Sequence, residues 1–210
     1  MPVSLGIPGK FTVYNALAVL GIAGALGISL TDAAAALVSA KGVKGRIEVV
    51  PTPETPYSVL IDYAHTPDGL ENVLTSVKYF CTGRVIAVFG CGGDRDTGKR
   101  APMGRVAEEL ADFIIITSDN SRTEEPTKII HDILRGMRRP EKRRVIVNRR
   151  RAIHYAIHTA KEDDIILLVG KGHEDYEFTE SGEQPFHEKS IVWEALATPP
   201  TAKESYEDPT

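Results

Sequence analysis

Apolar and polar positions divide the chain into two regimes. Phe11 to Leu26 and Thr31 to Ala40 are alanine-rich stretches with wide apolar faces, predicting two helices, the second capped by Thr31 or Asp32. Such faces need a larger partner than each other. Gly42 to Arg46 then turns into a short strand, Ile47 to Val50, and Pro51, Pro53 and Pro56 form a linker-like patch read as a domain boundary. From Tyr57 onward, short continuous apolar runs alternate with polar clusters and helices. Strands are predicted at Val59–Ile61, Val85–Phe89, Phe113–Thr117, Val145–Val147 and Ile165–Val169. Helices are predicted from Pro67 through Val77, from Met103 to Leu110, after Pro126 and from Arg151.

Short, β-branched strands without alternation indicate a mostly parallel sheet covered by helices on both faces, an α/β, Rossmann-like fold. Parallel strands put their carboxyl ends on one edge, where ligands bind in open α/β sheets. Four polar clusters, 62–68, 90–100, 118–122 and 170–174, are therefore expected to meet in space. The division expected is 1–52 as the end of a preceding domain, 53–197 as the sheet domain, and 198–210 as a Pro/Glu-rich disordered tail.

Composition narrows the classes. The 210 residues are 42% hydrophobic, enough for one good core and part of a second. A net charge of -4 disfavours nucleic acid as a partner. The basic run Arg135–Arg151, nine Lys/Arg against Glu141, is broken by Pro140 and lacks aromatics, so it is read as a solvated helix end and loop. Two cysteines, Cys81 and Cys91, make no disulfide framework; they point to a reducing, cytoplasmic setting and are read as buried small residues. The Ala16–Leu30 run superficially resembles a signal peptide but is short for a membrane span, so a soluble helical hairpin and no membrane association are expected. His154 and His158 lie four apart but lack a third ligand, and no metal site is assigned to them.

The densest chemistry lies in Gly90-Cys91-Gly92-Gly93-Asp94-Arg95-Asp96-Thr97-Gly98-Lys99-Arg100. Gly93, Gly98 and Lys99 fit the spacing of a phosphate loop, but Arg100 stands where a magnesium-binding hydroxyl belongs, and Asp94 and Asp96 would repel phosphate. A dinucleotide fingerprint fails because position 95 is Arg. A mixed-sign loop suits a zwitterion such as an amino acid; the alternative is a loop whose charges pair with one another. Asp62, His65 and Asp68 could serve as an acid/base set or cap the following helix. Arg122 beside Asn120 suits bidentate capture of a carboxylate, and Glu174, in a glycine-flanked turn with Lys171, suits an ammonium.

In Asp62-Tyr63-Ala64-His65-Thr66-Pro67-Asp68, Gly90 to Asp96, Asp119-Asn120-Ser121-Arg122 and Gly170-Lys171-Gly172-His173-Glu174, the chain resembles the C-terminal portion of the Mur ligases, from about Gly9 to Leu196. The likeness is strongest to members that add meso-diaminopimelate to UDP-N-acetylmuramoyl-L-alanyl-D-glutamate. It implies an ATP- and Mg2+-dependent acid–amino-acid ligase of peptidoglycan synthesis, serving cell wall formation, shape and division, monomeric, and acting through an acyl phosphate. It further implies that Arg95, Asp119, Asn120, Arg122, Gly170 and Glu174 hold the amino acid, with Asn15, Arg46, Asp62 and His65 at the nucleotide. The first two helices would be a remnant of the central ATPase domain. Ser121 departs from the proline usual in the family. No Gly-Lys-Ser/Thr phosphate loop occurs in the sequence, so the chain is expected to be a fragment inactive alone, with magnesium ligands upstream. A lysine-adding ligase and a non-catalytic amino-acid- or nucleotide-binding module are the alternatives.

Overall fold

The computed structural model describes residues 2–5, 10–40 and 42–198. Two helices, α1 (Lys10–Ala25) and α2 (Leu30–Ser39), form the expected hairpin. α1 ends in a glycine-based cap: Gly27, at φ 74°, donates to Gly24 O, while Ile28 donates to Ala23 O. Ser29 rather than Thr31 or Asp32 caps α2, its hydroxyl accepting from the Thr31 N–H. Leu17, Ile22, Leu26 and Val38 remain exposed on the pair.

Six strands form the main sheet: β1 (Glu48–Val50), β2 (Ser58–Asp62), β3 (Val85–Phe89), β4 (Phe113–Ile116), β5 (Arg143–Val145) and β6 (Ile165–Val169). Their spatial order is β1-β2-β6-β3-β4-β5. β1 runs antiparallel to β2 and every other pairing is parallel. Two expectations change here. β1 joins this sheet rather than a preceding unit, because the prolines after it shape a turn, closed by Thr55 N–H donating to Thr52 O, that returns the chain to β2. β5 lies two residues earlier than the apolar run suggested, since it is an edge strand whose Arg143 and Arg144 are half-buried.

Helices α3 (Pro67–Phe80), α4 (Arg100–Leu110) and α5 (Pro126–Leu134) cover one face, and α6 (Arg149–Thr159) and α7 (Glu188–Ala197) the other. Along β3, Val85, Ala87 and Phe89 pack into the first layer, while Ile86 and Val88 pack into the second. Both faces being dry explains the uninterrupted apolar runs. α3 starts with Thr66 as N-cap, its hydroxyl accepting from Gly69 N–H at 3.1 Å, and Pro67 in the first turn. Asp68 is thus a first-turn acid rather than the cap.

Two elements were not legible in the sequence. A hairpin of β7 (Tyr176–Thr179) and β8 (Gly182–Pro185) stands apart from the main sheet, and α7 closes the second layer. The tail expected over 198–210 lies outside the described residues from 199 onward.

Candidate functional site

β2, β3, β4 and β6 run in the same direction, so the four polar clusters emerge at one sheet edge. The loops after β3 and β4 lie against each other. Gly93 donates from its N–H to Asn120 O at 2.9 Å, and a Cβ on Gly93 would come within 1.9 Å of Ser121 O, so only glycine permits this approach. Arg122, at φ 52°, reaches back with Nη1 to Gly93 O at 2.8 Å and to Asn120 O at 3.2 Å. Among the described residues its Nε and Nη2 have no hydrogen-bond partner. The point a Gly92 Cβ would occupy lies 3.1 Å from Arg122 Nη1 and 3.7 Å from Arg95 Cγ, so both arginine side chains pass close beside that glycine.

The turn after β6 completes this cluster. Asn120 Nδ2 donates to Glu174 Oε2 at 2.8 Å, joining the loop after β4 to the turn. Gly170 sits against Asp119: a Cβ there would meet Asp119 Oδ2 at 2.5 Å. The β7–β8 hairpin closes the side. Phe178 N–H donates to Asn120 Oδ1, and Arg122 N–H donates to Phe178 O. The Glu174 carboxylate beside Tyr176 raises that phenol above its ordinary pKa, with burial adding and Arg122 opposing. Tyr176 was missed because no sequence signal marked the hairpin that carries it.

Arg95, Asp119, Asn120, Arg122, Gly170 and Glu174 are thus brought together. Their roles divide. Asp119 is buried and turned inward, its Oδ1 accepting from Asn120 N–H and lying 3.9 Å from Lys171 Nζ. Arg95 is exposed, with one hydrogen bond to Asp94 O.

Most other charges of the glycine-rich loop are engaged by neighbouring segments rather than by one another, so the loop is not the self-paired one of the alternative reading. Asp94 accepts from Thr123 N–H and Oγ1, Lys99 donates to His65 O, and Asp96 caps Gly98. Arg100 is 1% exposed and binds Glu124 and Asp132 on the α5 side. Its guanidinium, assisted by the Asp94 N–H, holds the Glu124 carboxyl down at about 2. Arg149, read as part of a solvated basic run, is instead buried. It donates to Glu188 and to Val169 O, and the pull of Glu188 and Asp119 outweighs burial to raise its pKa. Cys91 is buried and its thiol is pushed up to about 12 by desolvation, whereas Cys81 is only half-buried.

A concavity lies between the helical hairpin and α3. Asn15, Arg46, Asp62 and His65 all line it, along with Tyr14 and Ala64. Arg46 stacks over the Tyr63 ring at 5.1 Å, and His65 and His173 flank the same ring at 5.0 Å each. Asp62 is already engaged: Oδ2 accepts from Ile47 N–H at 2.9 Å and Oδ1 from Ala64 N–H at 2.8 Å, fixing the linker where Ile47 holds φ 41°. Among the described residues no group of three His, Cys, Asp or Glu could hold a metal ion.

Comparison with known proteins agrees with this geometry. Residues 45–172 match the family described as Mur ligase, glutamate ligase domain. The UDP-N-acetylmuramoyl-L-alanyl-D-glutamate--2,6-diaminopimelate ligase of Clostridioides difficile (strain 630) is 48% identical over 192 residues, covering 91% of this chain and 40% of that protein. The enzyme of the same name from Caldanaerobacter subterraneus subsp. tengcongensis is 50% identical over 196 residues, covering 93% and 40%. A solved structure of a ligase with that name superposes with a TM-score of 0.73 at 36% identity, over 93% of this chain and 40% of its own. The chain therefore spans about two-fifths of the length of the curated relatives it matches. With four motif loops gathered at one sheet edge and the family match running through them, the chain belongs to the Mur ligase family.

Proposed function

We propose that the protein supplies the amino-acid-binding part of an ATP-dependent ligase that adds meso-diaminopimelate to UDP-N-acetylmuramoyl-L-alanyl-D-glutamate in peptidoglycan synthesis. The observation that carries this is the joining of opposite charges at one edge: Arg122 and Arg95 beside Gly92, and Glu174 bonded to Asn120. The names of the curated relatives point the same way.

In this function Arg122 and Asn120 donate to a carboxylate of the amino acid, and Glu174 accepts from an ammonium. Holding both ends of a zwitterion orients the remaining amine toward the acceptor, replacing a random encounter by a fixed approach. Meso-diaminopimelate exceeds lysine by one carboxylate. A hydrogen bond to a charged group contributes about 1.5–3 kcal/mol, roughly ten- to a hundredfold. Arg122 left without that partner would penalise lysine further.

The groove lined by Asn15, Arg46, Asp62 and His65 is the place for the nucleotide. Arg46 and His65, both set against Tyr63, would face it, while Asp62 serves mainly to hold the linker. When bound, ATP supplies the phosphoryl group that activates the acceptor carboxylate. The magnesium ligands are proposed to lie mainly in the part of the enzyme upstream of this chain. The α1–α2 hairpin, with its exposed apolar side chains, is proposed as the end of the central ATPase domain, and residues from Ile47 onward as the C-terminal domain. No helix among the described residues is long and apolar enough to cross a membrane. A cytoplasmic, monomeric enzyme is part of the same proposal.

Calorimetric titration of the chain with meso-diaminopimelate and with L-lysine tests the assignment. Diaminopimelate is expected to bind at least about tenfold more tightly. Equal affinities, or no affinity for either, would overturn it.

A further inference from the structure

Resting on the amino-acid-binding role just argued, we propose that Lys171 is a positioning residue that makes Asn120 a hydrogen-bond donor only toward the ligand, and so sets which end of the pocket takes a carboxylate. Lys171 is 0% exposed, and its ammonium is enclosed by the site's own loops. Nζ donates to Asn120 Oδ1 at 2.9 Å and to Tyr176 O at 2.9 Å, lies 3.9 Å from Asp119 Oδ1, and stands 5.2 Å from the centre of the Phe186 ring. Burying an ammonium is costly, and an apolar side chain of similar length would fill the same volume without that cost. The charge therefore calls for a role beyond packing.

That role follows from the amide it touches. The two ends of a carboxamide are almost alike in shape and opposite in hydrogen bonding, so only the partners decide which end is oxygen. Asn120 Oδ1 receives two donors, Lys171 Nζ and Phe178 N–H, both at 2.9 Å. Flipping the amide would aim its NH2 group at both. Nδ2 is thereby directed to Glu174 Oε2 at 2.8 Å. One Nδ2 proton is spent on Glu174, and the other is left for the ligand. The oxygen is fully committed, so Asn120 cannot accept from an ammonium and does not compete with Glu174 for it. Glu174 Oε1 accepts no bond among the described residues and is left for the cation.

Lys171→Met keeps the volume and removes the donor. Two readouts follow, the first needing no ligand. In the free chain, the Asn120 side-chain amide protons, followed by NMR, are expected to exchange with water at least about tenfold faster in Lys171→Met. By calorimetry, affinity for meso-diaminopimelate is expected to fall about tenfold, and Lys171→Met is expected to add less than about twofold in an Asn120→Ala background, because the two act as a unit. Unchanged exchange, or an equal loss in the Asn120→Ala background, would overturn the proposal. Should Lys171→Met not fold, Asn120→Asp takes its place. It keeps acceptors for Lys171 and Phe178, but loses the donor and sets a carboxylate against Glu174, so it is expected to bind diaminopimelate at least about tenfold more weakly. Retained affinity there would equally overturn the proposal. A wild-type chain without affinity for diaminopimelate would sink the amino-acid-binding role, while the exchange measurement would still decide what Lys171 does.

Discussion

Arg122 Nη1 donates to the carbonyl oxygen of Gly93 across 2.8 Å, so the arginine assigned to the substrate also fastens the loop after β4 to the loop after β3. One edge of the guanidinium is anchored and the rest is free to read a ligand, the arrangement that bidentate recognition requires. Arg122→Ala is expected to reduce the preference for meso-diaminopimelate over lysine by at least about tenfold. Arg122→Lys keeps the charge but loses the planar fork, and is expected to recover only part of it. Calorimetry on both variants with both amino acids checks this.

The close passage of Gly93 past Ser121 is equally testable. A methyl group there would meet the Ser121 carbonyl at 1.9 Å, and backbone rather than a flexible side-chain end would have to move. Gly93→Ala is expected to cost about 1–3 kcal/mol by chemical denaturation and to weaken amino-acid binding along with it, because the loops separate.

Acid stability should depend on Arg100 and Glu124. The Glu124 carboxyl is held near 2 instead of its ordinary 4.5, chiefly by the Arg100 guanidinium. A lowered folded-state value means the unfolded chain binds the proton more readily. The contribution is thus complete above about pH 5 and disappears as pH falls through 4.5 toward 2. Glu124→Gln is expected to lower stability at pH 7 by about 2 kcal/mol, Asp132 still serving the buried Arg100, and to flatten the loss of thermal stability between pH 5 and 3. Melting curves across that range decide it.

Ser121 makes a different kind of prediction. Its backbone N–H donates to nothing among the described residues, so proline at this position removes no hydrogen bond. Its φ is not in the left-handed region. Ser121→Pro is expected to leave binding unchanged and to raise stability by up to about 1 kcal/mol through a less flexible unfolded chain, as read by denaturant titration.

What the sequence allowed to be read, and what it did not, follows from where each element finds its stability. β3 and β6 are dry on both faces, every residue of each is apolar, and both could be placed to the residue. The convergence of Arg95, Asn120, Arg122 and Glu174 followed from strand direction alone, without any side-chain detail. The β7–β8 hairpin could not be read that way. Its residues are half-buried or exposed, and it is held by long-range bonds with Asn120 and Arg122. Lys171 and Arg149 carried no sign of burial because their partners, Asp119 and Glu188, lie far away in the chain. The charges of the glycine-rich loop misled for the same reason: Glu124, Thr123 and His65, which engage them, belong to other segments.

The sheet is bounded on both sides by strands of only three residues, β1 and β5. A second molecule seeking to extend the ladder at β5 would find two consecutive arginines and too short a template to register against. Crowding arginine against arginine penalises self-association at this edge row of backbone groups. The arginines of β5 thus have a colloidal use, keeping a highly apolar sheet from growing into its neighbours.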